Sequence, residues 1–386
     1  MTTIKSATVR IVLVFAALCA CTGVSAQNGD AGSRLADLLG ADDDTGFIKA
    51  TEPRRFSFPD DHGPHPSFRN EWWYVTGNLD SERGRRFGFE LTVFRFALTP
   101  TVPEAISNWR SNQVYIAHFA ITDADRKRFL FAEKFSRGAL GLAGAQANPF
   151  RVWIDDWQLR SIDDGAAGAS DGAERWQLTA TDTGFALDLE LKALKPPVLN
   201  GVDGLSQKSS EPGNASYYYS MTRWQTDGRL RIDDDEHRVT GLSWLDREWS
   251  SSALAPDQQG WDWFALQFDD NTELMFYNIR KTDGTQDAQS AGTWVHADGR
   301  AEYLHRDDVV IEVTDTWQSP QGGSYPSAWT LHLPGKGLTL EIEPVMADQE
   351  LFTTVRYWEG AVDVRGRKGD RPISGRGYVE LTGYAD

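Results

Sequence analysis

A chain of 386 residues with 40% hydrophobic and 12% aromatic residues has the length for two domains and the apolar content for real cores, which excludes a disordered or fibrous protein. A formal net charge of −17 argues against nucleic acid and against anionic membrane surfaces as partners. The 15 tryptophans are spread along the whole chain, so they must be shared among cores, a pocket, or both.

The chain opens with an export label. Lys5 and Arg10 form a basic start, residues 11–24 form a short apolar run, and Val24-Ser25-Ala26 is the small-residue pattern that a signal peptidase reads. Residues 1–26 are therefore expected to be a signal peptide, with a mature periplasmic or secreted protein that begins near Gln27. Cys19 and Cys21 both lie in this label, so the body carries no disulfide. Leu18-Cys19-Ala20-Cys21 loosely matches a lipobox, and a lipoprotein anchored at Cys21 is the alternative. Residues 27–52, with the acidic run Asp42-Asp43-Asp44, read as a flexible linker.

The stretch 59–79 (PDDHGPHPSFRNEWWYVTGNL) organises the rest of the chain. Its first half is rich in Asp, Gly and Pro and reads as a loop; its second half is an aromatic, β-branched strand. Asp60, Asp61, His62, His65, Arg69, Asn70 and Glu71 concentrate polar chemistry at the mouth of that strand. His62 and His65 are spaced to share a zinc ion with Asp61 or Glu71. Gly63-Pro64 between them and the lack of a third nearby His favour a hydrogen-bonded loop, so no metal and no cofactor is expected.

From there the period is two. Residues 72–79 and 87–96 read as one hairpin, 113–122 and 129–135 as a second, and 153–162, 175–181 and 185–191 as a continuing meander. Residues 163–173 read as a hairpin tip. Residues 200–216, before Tyr217-Tyr218-Tyr219, form a Gly/Ser-rich loop expected to be a lid over the first unit's mouth.

One observation sets the architecture. Residues 239–246 (VTGLSWLD) match 373–380 (ISGRGYVE) as aliphatic, hydroxyl, Gly, any, small, aromatic, aliphatic, acid. An aromatic strand precedes each, Tyr217-Tyr218-Tyr219 in one case and Tyr357-Trp358 in the other. Two copies of one all-β unit are the simplest account, with a first barrel domain at 53–250 and a second at 251–386. Antiparallel sheets of eight to ten strands without covering helices remove their edges by closing, so two tandem antiparallel β-barrels packed against each other are expected.

The segments DHGPHPSFRNEWWYVTGNL, YYYSMTR, GLSWLDREWSSSAL, GWDWFALQF, ELMFYNIRKTDG, YWEGAV and GYVELTGY resemble the bacterial AttH/CrtC family, which includes the carotenoid 1,2-hydratases and many proteins labelled predicted secreted hydrolases. The resemblance spans roughly residues 54–386 and implies two lipocalin-like (calycin-type) barrels. It also implies one candidate reaction, the addition of water to a C=C bond. Such a reaction requires an acid to protonate carbon, a wall that tolerates a carbocation, and a placed water. Hydratases of this family have a His just ahead of the Trp at 249, where this chain has Arg247. Arginine does not shuttle protons near neutrality.

The candidate acids are Asp262, set between Trp261 and Trp263, and the pair Asp246 and Glu248 beside Trp249. Each has a plainer reading: Asp262 alternates with its tryptophans and so faces away from them, and Asp246, Arg247 and Glu248 can form an ion-pair cluster. Ser136 and Ser220 lack a nucleophile elbow and a His–Asp partner pattern, which argues against a serine hydrolase. Candidate ligand-binding residues are His62, His65, Glu71, Trp72, Tyr219, Arg247, Trp249, Trp261 and Tyr277. Glu71, Arg247, Glu248 and Asp262 are expected in one cluster at the junction of the barrels. Arg247 favours a monomeric exported protein that binds an apolar small molecule, lipid or isoprenoid-like. A carotenoid 1,2-hydratase-like enzyme is the alternative, and an acidic partner of an envelope membrane protein is a third reading.

Overall fold

The computed structural model describes residues 45–385 apart from 103, 105, 106, 108, 163–171 and 253. The expected signal peptide, the Cys21 alternative, the first part of the linker and the tip at 163–171 lie outside the described residues.

Two antiparallel sheets are formed. The first begins with β1 (Asn70–Ser81), β2 (Arg86–Ala97), β3 (Gln113–Asp123) and β4 (Arg128–Arg137). It continues through β5 (Ala143–Gln146), β6 (Arg151–Ile154), β7 (Trp157–Ser161), β8 (Arg175–Asp182) and β9 (Phe185–Ala193). The short β10 (Val198–Leu199) and β11 (Leu205–Gln207) precede the long pair β12 (Ala215–Ile232) and β13 (Asp235–Ser250). The second sheet holds β14 (Gln258–Phe268), β15 (Glu273–Lys281), β16 (Ala291–Val295), β17 (Ala301–His305) and β18 (Val310–Gln318). It is completed by β19 (Ser324–Leu333), β20 (Leu338–Pro344), β21 (Glu350–Phe352), β22 (Arg356–Lys368) and β23 (Arg371–Leu381).

Both sheets make the same topological move. In the first, β1 lies between β2 and β13; in the second, β14 lies between β15 and β23. The matched octapeptides 239–246 and 373–380 therefore sit on the closing strand of each unit. The glycine of each octapeptide has one local reason: a Cβ on Gly241 would strike the Asn78 carbonyl, and one on Gly375 the Gln267 carbonyl, so only glycine permits the approach of the neighbouring strand. Two tandem lipocalin-like barrels are the result, the first nearly closed and the second a half-barrel. The expected full closure is not reached, because the end strands β4 and β5 of the first sheet, and β17 and β18 of the second, form no ladder with each other. A Lys134–Asp156 ion pair joins β4 to the β6–β7 turn where the first sheet's ends meet.

Strand parity sorts the side chains into three layers. The interior of the first barrel buries Trp73, Trp157, Trp176, Trp224 and Trp249 with Leu, Val and Phe from most of its strands. The second interior buries Trp294, Trp329 and Trp358 around Phe264, Leu266 and Leu340. The outward faces of β1, β12 and β13 meet those of β14, β15, β22 and β23 in a third apolar layer that includes Tyr74, Tyr218, Trp244, Trp263 and Tyr277. Polar contacts pin this junction: Asn78 Nδ2 donates to Gly377 O (3.0 Å), Arg86 pairs with Asp363 (2.6 Å), and Arg376 with Asp80 (2.6 Å). Buried Glu273 of the second sheet takes Lys195 (2.7 Å) and Arg223 (2.5 Å) from the first.

The end of the expected linker is not free. Ile48 N–H donates to Ser67 O (3.1 Å), the Tyr217 hydroxyl to Glu52 O (2.9 Å), and Ala50 is fully buried against the first core. Loop 200–216 also differs from expectation. The Ser206 hydroxyl bonds the Tyr277 hydroxyl (2.9 Å), and Gln258 Nε2 donates to Lys208 O (2.8 Å). The loop thus spans the junction with the second barrel rather than capping the first.

Candidate functional site

The segments expected to converge are neighbours along the ladder. Glu71 pairs with Trp249, Trp72 with Glu248 and Trp73 with Arg247. Alternation along each strand nevertheless sends their side chains into three separate compartments, so the expected single cluster does not form.

The first compartment is the mouth of barrel one. Glu71 is completely buried and pairs with both Arg247 and Arg95. Burial acts to raise its carboxyl, yet Arg95, Arg247 and His65 hold it well below the usual carboxylate range. His65 stacks flat on Trp249, with ring centroids 3.8 Å apart. Its Nε2 reaches Asp61 (3.0 Å), and Nδ1 accepts from Arg247 Nη2 (3.1 Å). The Arg247 guanidinium lies 4.0 Å over Trp73. His62 bonds the Tyr219 hydroxyl (2.6 Å) and Glu174 (3.2 Å). These contacts fasten the 59–69 loop as a plug. Both histidines make hydrogen bonds on each ring nitrogen.

The second compartment holds Asp262, whose side chain points away from Trp261 and Trp263. It accepts from Asn278 Nδ2 (2.9 Å), Arg280 Nε (3.0 Å) and the Tyr384 hydroxyl (2.9 Å), with Arg280 stacked on Tyr384. Asp262 therefore ties the C-terminal segment to barrel two. It shares no contact with Glu71 or Arg247.

The third compartment is a pocket between the barrels with about 1030 Å³ of empty space that opens to solvent. Trp72, Tyr74, Phe94, Tyr218, Trp261, Trp263 and Tyr277 form its walls, and Asp246, Glu248, Glu359 and Glu380 project into it. Of the candidates named from sequence, Asp246, Glu248, Trp72, Trp261 and Tyr277 line this pocket, whereas His62, His65, Glu71, Tyr219, Arg247, Trp249 and Asp262 do not.

The carboxyls of this pocket divide by environment. Asp246 is pushed up to about 7 by burial, opposed by donors from Ser220, Tyr218 and the Trp244 indole (2.7 Å). Trp263 Nε1 donates to the same Tyr218 hydroxyl (3.2 Å) and fixes that donor. Glu248 accepts from Ser216 and pairs with Lys208 (2.9 Å), which the 200–216 loop brings over Tyr277. Glu380 is pushed up to about 8 by burial, with Trp261 opposing and the negative charge of Glu90, Asp246 and Glu248 adding to the rise. Glu359 lies well above the usual range through burial and the proximity of Glu90 and Glu380. Glu90, behind the pocket wall, is raised to about 8 by burial.

Glu359 and Glu380 are direct cross-strand partners on β22 and β23. Directly opposed residues hold their Cβ atoms roughly 5 Å apart, too close for both to ionise in an apolar wall. Among the described residues, no side chain meets the Glu90 or Glu359 carboxyl oxygens at full hydrogen-bond geometry. Tyr74 and Tyr357 stand near enough to Glu359 to moderate its rise. The pocket therefore gathers Asp246, held by three donors, and Glu248, paired with Lys208, with two carboxyls, Glu359 and Glu380, that burial pushes toward the neutral form.

Glu90, Glu359, Glu380, Tyr74, Tyr218, Tyr357 and Lys208 were not singled out from the sequence. A signal for Glu380 was present, because it holds the acid position of the repeated octapeptide, matched with Asp246. Glu359 faces Glu380 across its ladder as Ser220 faces Asp246, and Tyr357 stands to Glu359 as Tyr218 to Ser220.

A model of the AttH-like family matches residues 49–384. The chain belongs to the AttH-like family. A candidate AttH of Nitrosomonas europaea, known from its crystal structure, is 32% identical over 88% of this chain and all of that chain, with a TM-score of 0.76. Kievitone hydratase from Nectria haematococca shares the AttH-like fold at 15% identity, covering 88% of this chain and 97% of its own, with a TM-score of 0.63. CghA shares it at 12% identity over 88% of this chain and 97% of its own, with a TM-score of 0.52. A search of curated proteins finds no match.

Proposed function

We propose that this AttH-like protein binds a largely apolar, unsaturated small molecule between its barrels and adds water to a C=C bond, or removes it, by acid–base catalysis. The observation that carries this reading is the pairing of neutral acids with a donor-held carboxylate inside one aromatic pocket. The two environments suit different roles: three donors favour the ionised form of Asp246, whereas Glu359 and Glu380, set opposite each other, oppose one another's ionisation. The Glu359–Glu380 pair supplies the proton that goes to carbon, Asp246 takes the proton of the attacking water, and Trp72, Trp261 and Trp263 offer π faces to the carbocation between these steps. Kievitone hydratase, which has the same fold, is by name a hydratase. Arg247, which stands where hydratases of the resembled family carry His, lies on the opposite face of β13 from this pocket and so leaves these acids untouched.

A carrier that only holds such a molecule is the second reading, supported by the predominantly aromatic walls. We propose that the export label expected at residues 1–26 carries the protein out of the cytoplasm. The test is incubation with polyene and isoprenoid alkenes in ¹⁸O-labelled water, with mass spectrometry of extracted products. Incorporation lost in Glu380→Gln and Asp246→Asn supports the enzyme; ligand retained without incorporation in any variant leaves the carrier.

A further inference from the structure

Resting on that reading, we propose that Glu133, His118 and Tyr357 form a proton relay from solvent to Glu359. Hydrogen bonds link Glu133, His118 and Tyr357, and Tyr357 stands near enough to Glu359 to moderate its rise. Glu133, with its side chain 23% exposed, lies 3.0 Å from His118 Nε2 and is held by Thr354 N–H (3.0 Å) and the Thr354 hydroxyl (2.7 Å). His118 is 1% exposed, and its Nδ1 lies 2.7 Å from the buried Tyr357 hydroxyl. Tyr357 and Glu359 are i and i+2 on β22, so both project from one face, and both line the pocket. The path therefore starts on β4, crosses β3, and enters the second barrel.

A purely structural role does not account for this arrangement. The buried imidazole–carboxylate contacts of His62 and His65 serve the loop plug of barrel one. This one instead runs from a surface carboxylate to a phenol on the pocket wall. It also lies in a single cross-strand row: Glu133 faces His118, His118 faces Thr92, Thr92 faces Tyr74 and Tyr74 faces Asp246. The relay thus meets the pocket beside both the acid pair and the base. The need for it is physical. Once Glu359 has given its proton to carbon, a buried carboxylate next to Glu90 and Glu380 is costly, and Glu359, 1% exposed, lies out of reach of the solvent at the pocket's mouth.

The transfer balances. The Glu359 carboxylate takes the phenolic proton of Tyr357, Tyr357 takes the Nδ1 proton of His118, and Nε2 of His118 takes a proton that entered from solvent at Glu133. One proton moves inward, only O–H and N–H bonds exchange, and the ring and hydroxyl reorient before the next transfer. His118 and Glu133 act through Tyr357 and are positioning and relay residues, not catalytic ones.

The experiment needs no substrate. The protonated Glu359 carboxyl gives an infrared C=O band, identified by its loss in Glu359→Gln, and its shift after rapid dilution into D₂O times proton access. The expected result is that His118→Gln and Tyr357→Phe each slow that shift about a hundredfold, with unchanged circular dichroism. Free imidazole restores it in His118→Ala. A shift equally fast in both variants overturns the relay and leaves the hydratase reading standing. Absence of the band at neutral pH removes the neutral acid and both proposals with it. Slowed exchange without hydration of any alkene tested keeps the relay and removes the hydratase.

Discussion

Asp246 and Glu380 occupy the same position in the two repeats and project into the same pocket from opposite barrels. The repeated octapeptide accounts for two acids at matched places. Their surroundings then diverged: Asp246 gained Ser220, Tyr218 and Trp244 as donors, while Glu380 stands opposite Glu359 and receives Trp261 alone. On the proposed hydration reading the two acids therefore serve different steps, and both are expected to be needed. Asp246→Asn removes the base and Glu380→Gln one proton donor. Each lowers turnover by roughly 10²–10⁴-fold while quenching of pocket tryptophan fluorescence by a bound polyene is retained.

Stability should fall as pH rises through the range in which the pocket acids titrate. Glu90 and Glu380 have folded values raised from 4.5 to about 8. Their contribution is fully present below the unfolded value and is lost as pH climbs through the folded one. The melting temperature is expected to decline between about pH 4.5 and 8, and Glu90→Gln to flatten that decline. A profile that rises across this window in the wild type contradicts the burial of neutral carboxyls.

The Glu71 clamp makes the opposite demand. Substituting Glu71 by Gln leaves Arg95 and Arg247 buried without their counter-charge. Loss of one partner of such a cluster costs roughly 3–5 kcal/mol, read as a drop in denaturant midpoint. Ligand quenching in the surviving folded fraction should be unchanged, since the clamp lies outside the pocket.

Asp262→Asn should spare turnover. The side chain anchors Arg280, Asn278 and Tyr384 rather than a reacting molecule. A loss of about 1–3 kcal/mol in stability with kcat unchanged is the expected outcome, measured by chemical denaturation beside steady-state rates.

Loop 200–216 carries Lys208 to the pocket rim beside Glu248. Occupancy of the pocket is expected to slow cleavage there in limited proteolysis. Equal cutting with and without a bound polyene would mark the loop as a fixed connection.

Much of this was legible along the chain. The period-two pattern determined the strands, the octapeptide repeat determined two units, and closure logic determined that residues 70–73 lie beside 247–250. Alternation also set Asp262 opposite Trp261 and Trp263, yet the sequence still pointed to Glu71, Arg247, Glu248 and Asp262 in one cluster, which the structure divides among three compartments. What alternation cannot decide is which face of a strand becomes a barrel interior and which meets another sheet, since both faces of β1, β13 and β14 are apolar and aromatic. Only the docking of the two barrels settled that. Docking buried Glu90, Glu359 and Glu380 together, and burial rather than residue type made them neutral acids. Arg247 and Asp246 are adjacent in sequence; one clamps a loop and the other faces the pocket because a strand turns successive side chains through half a turn.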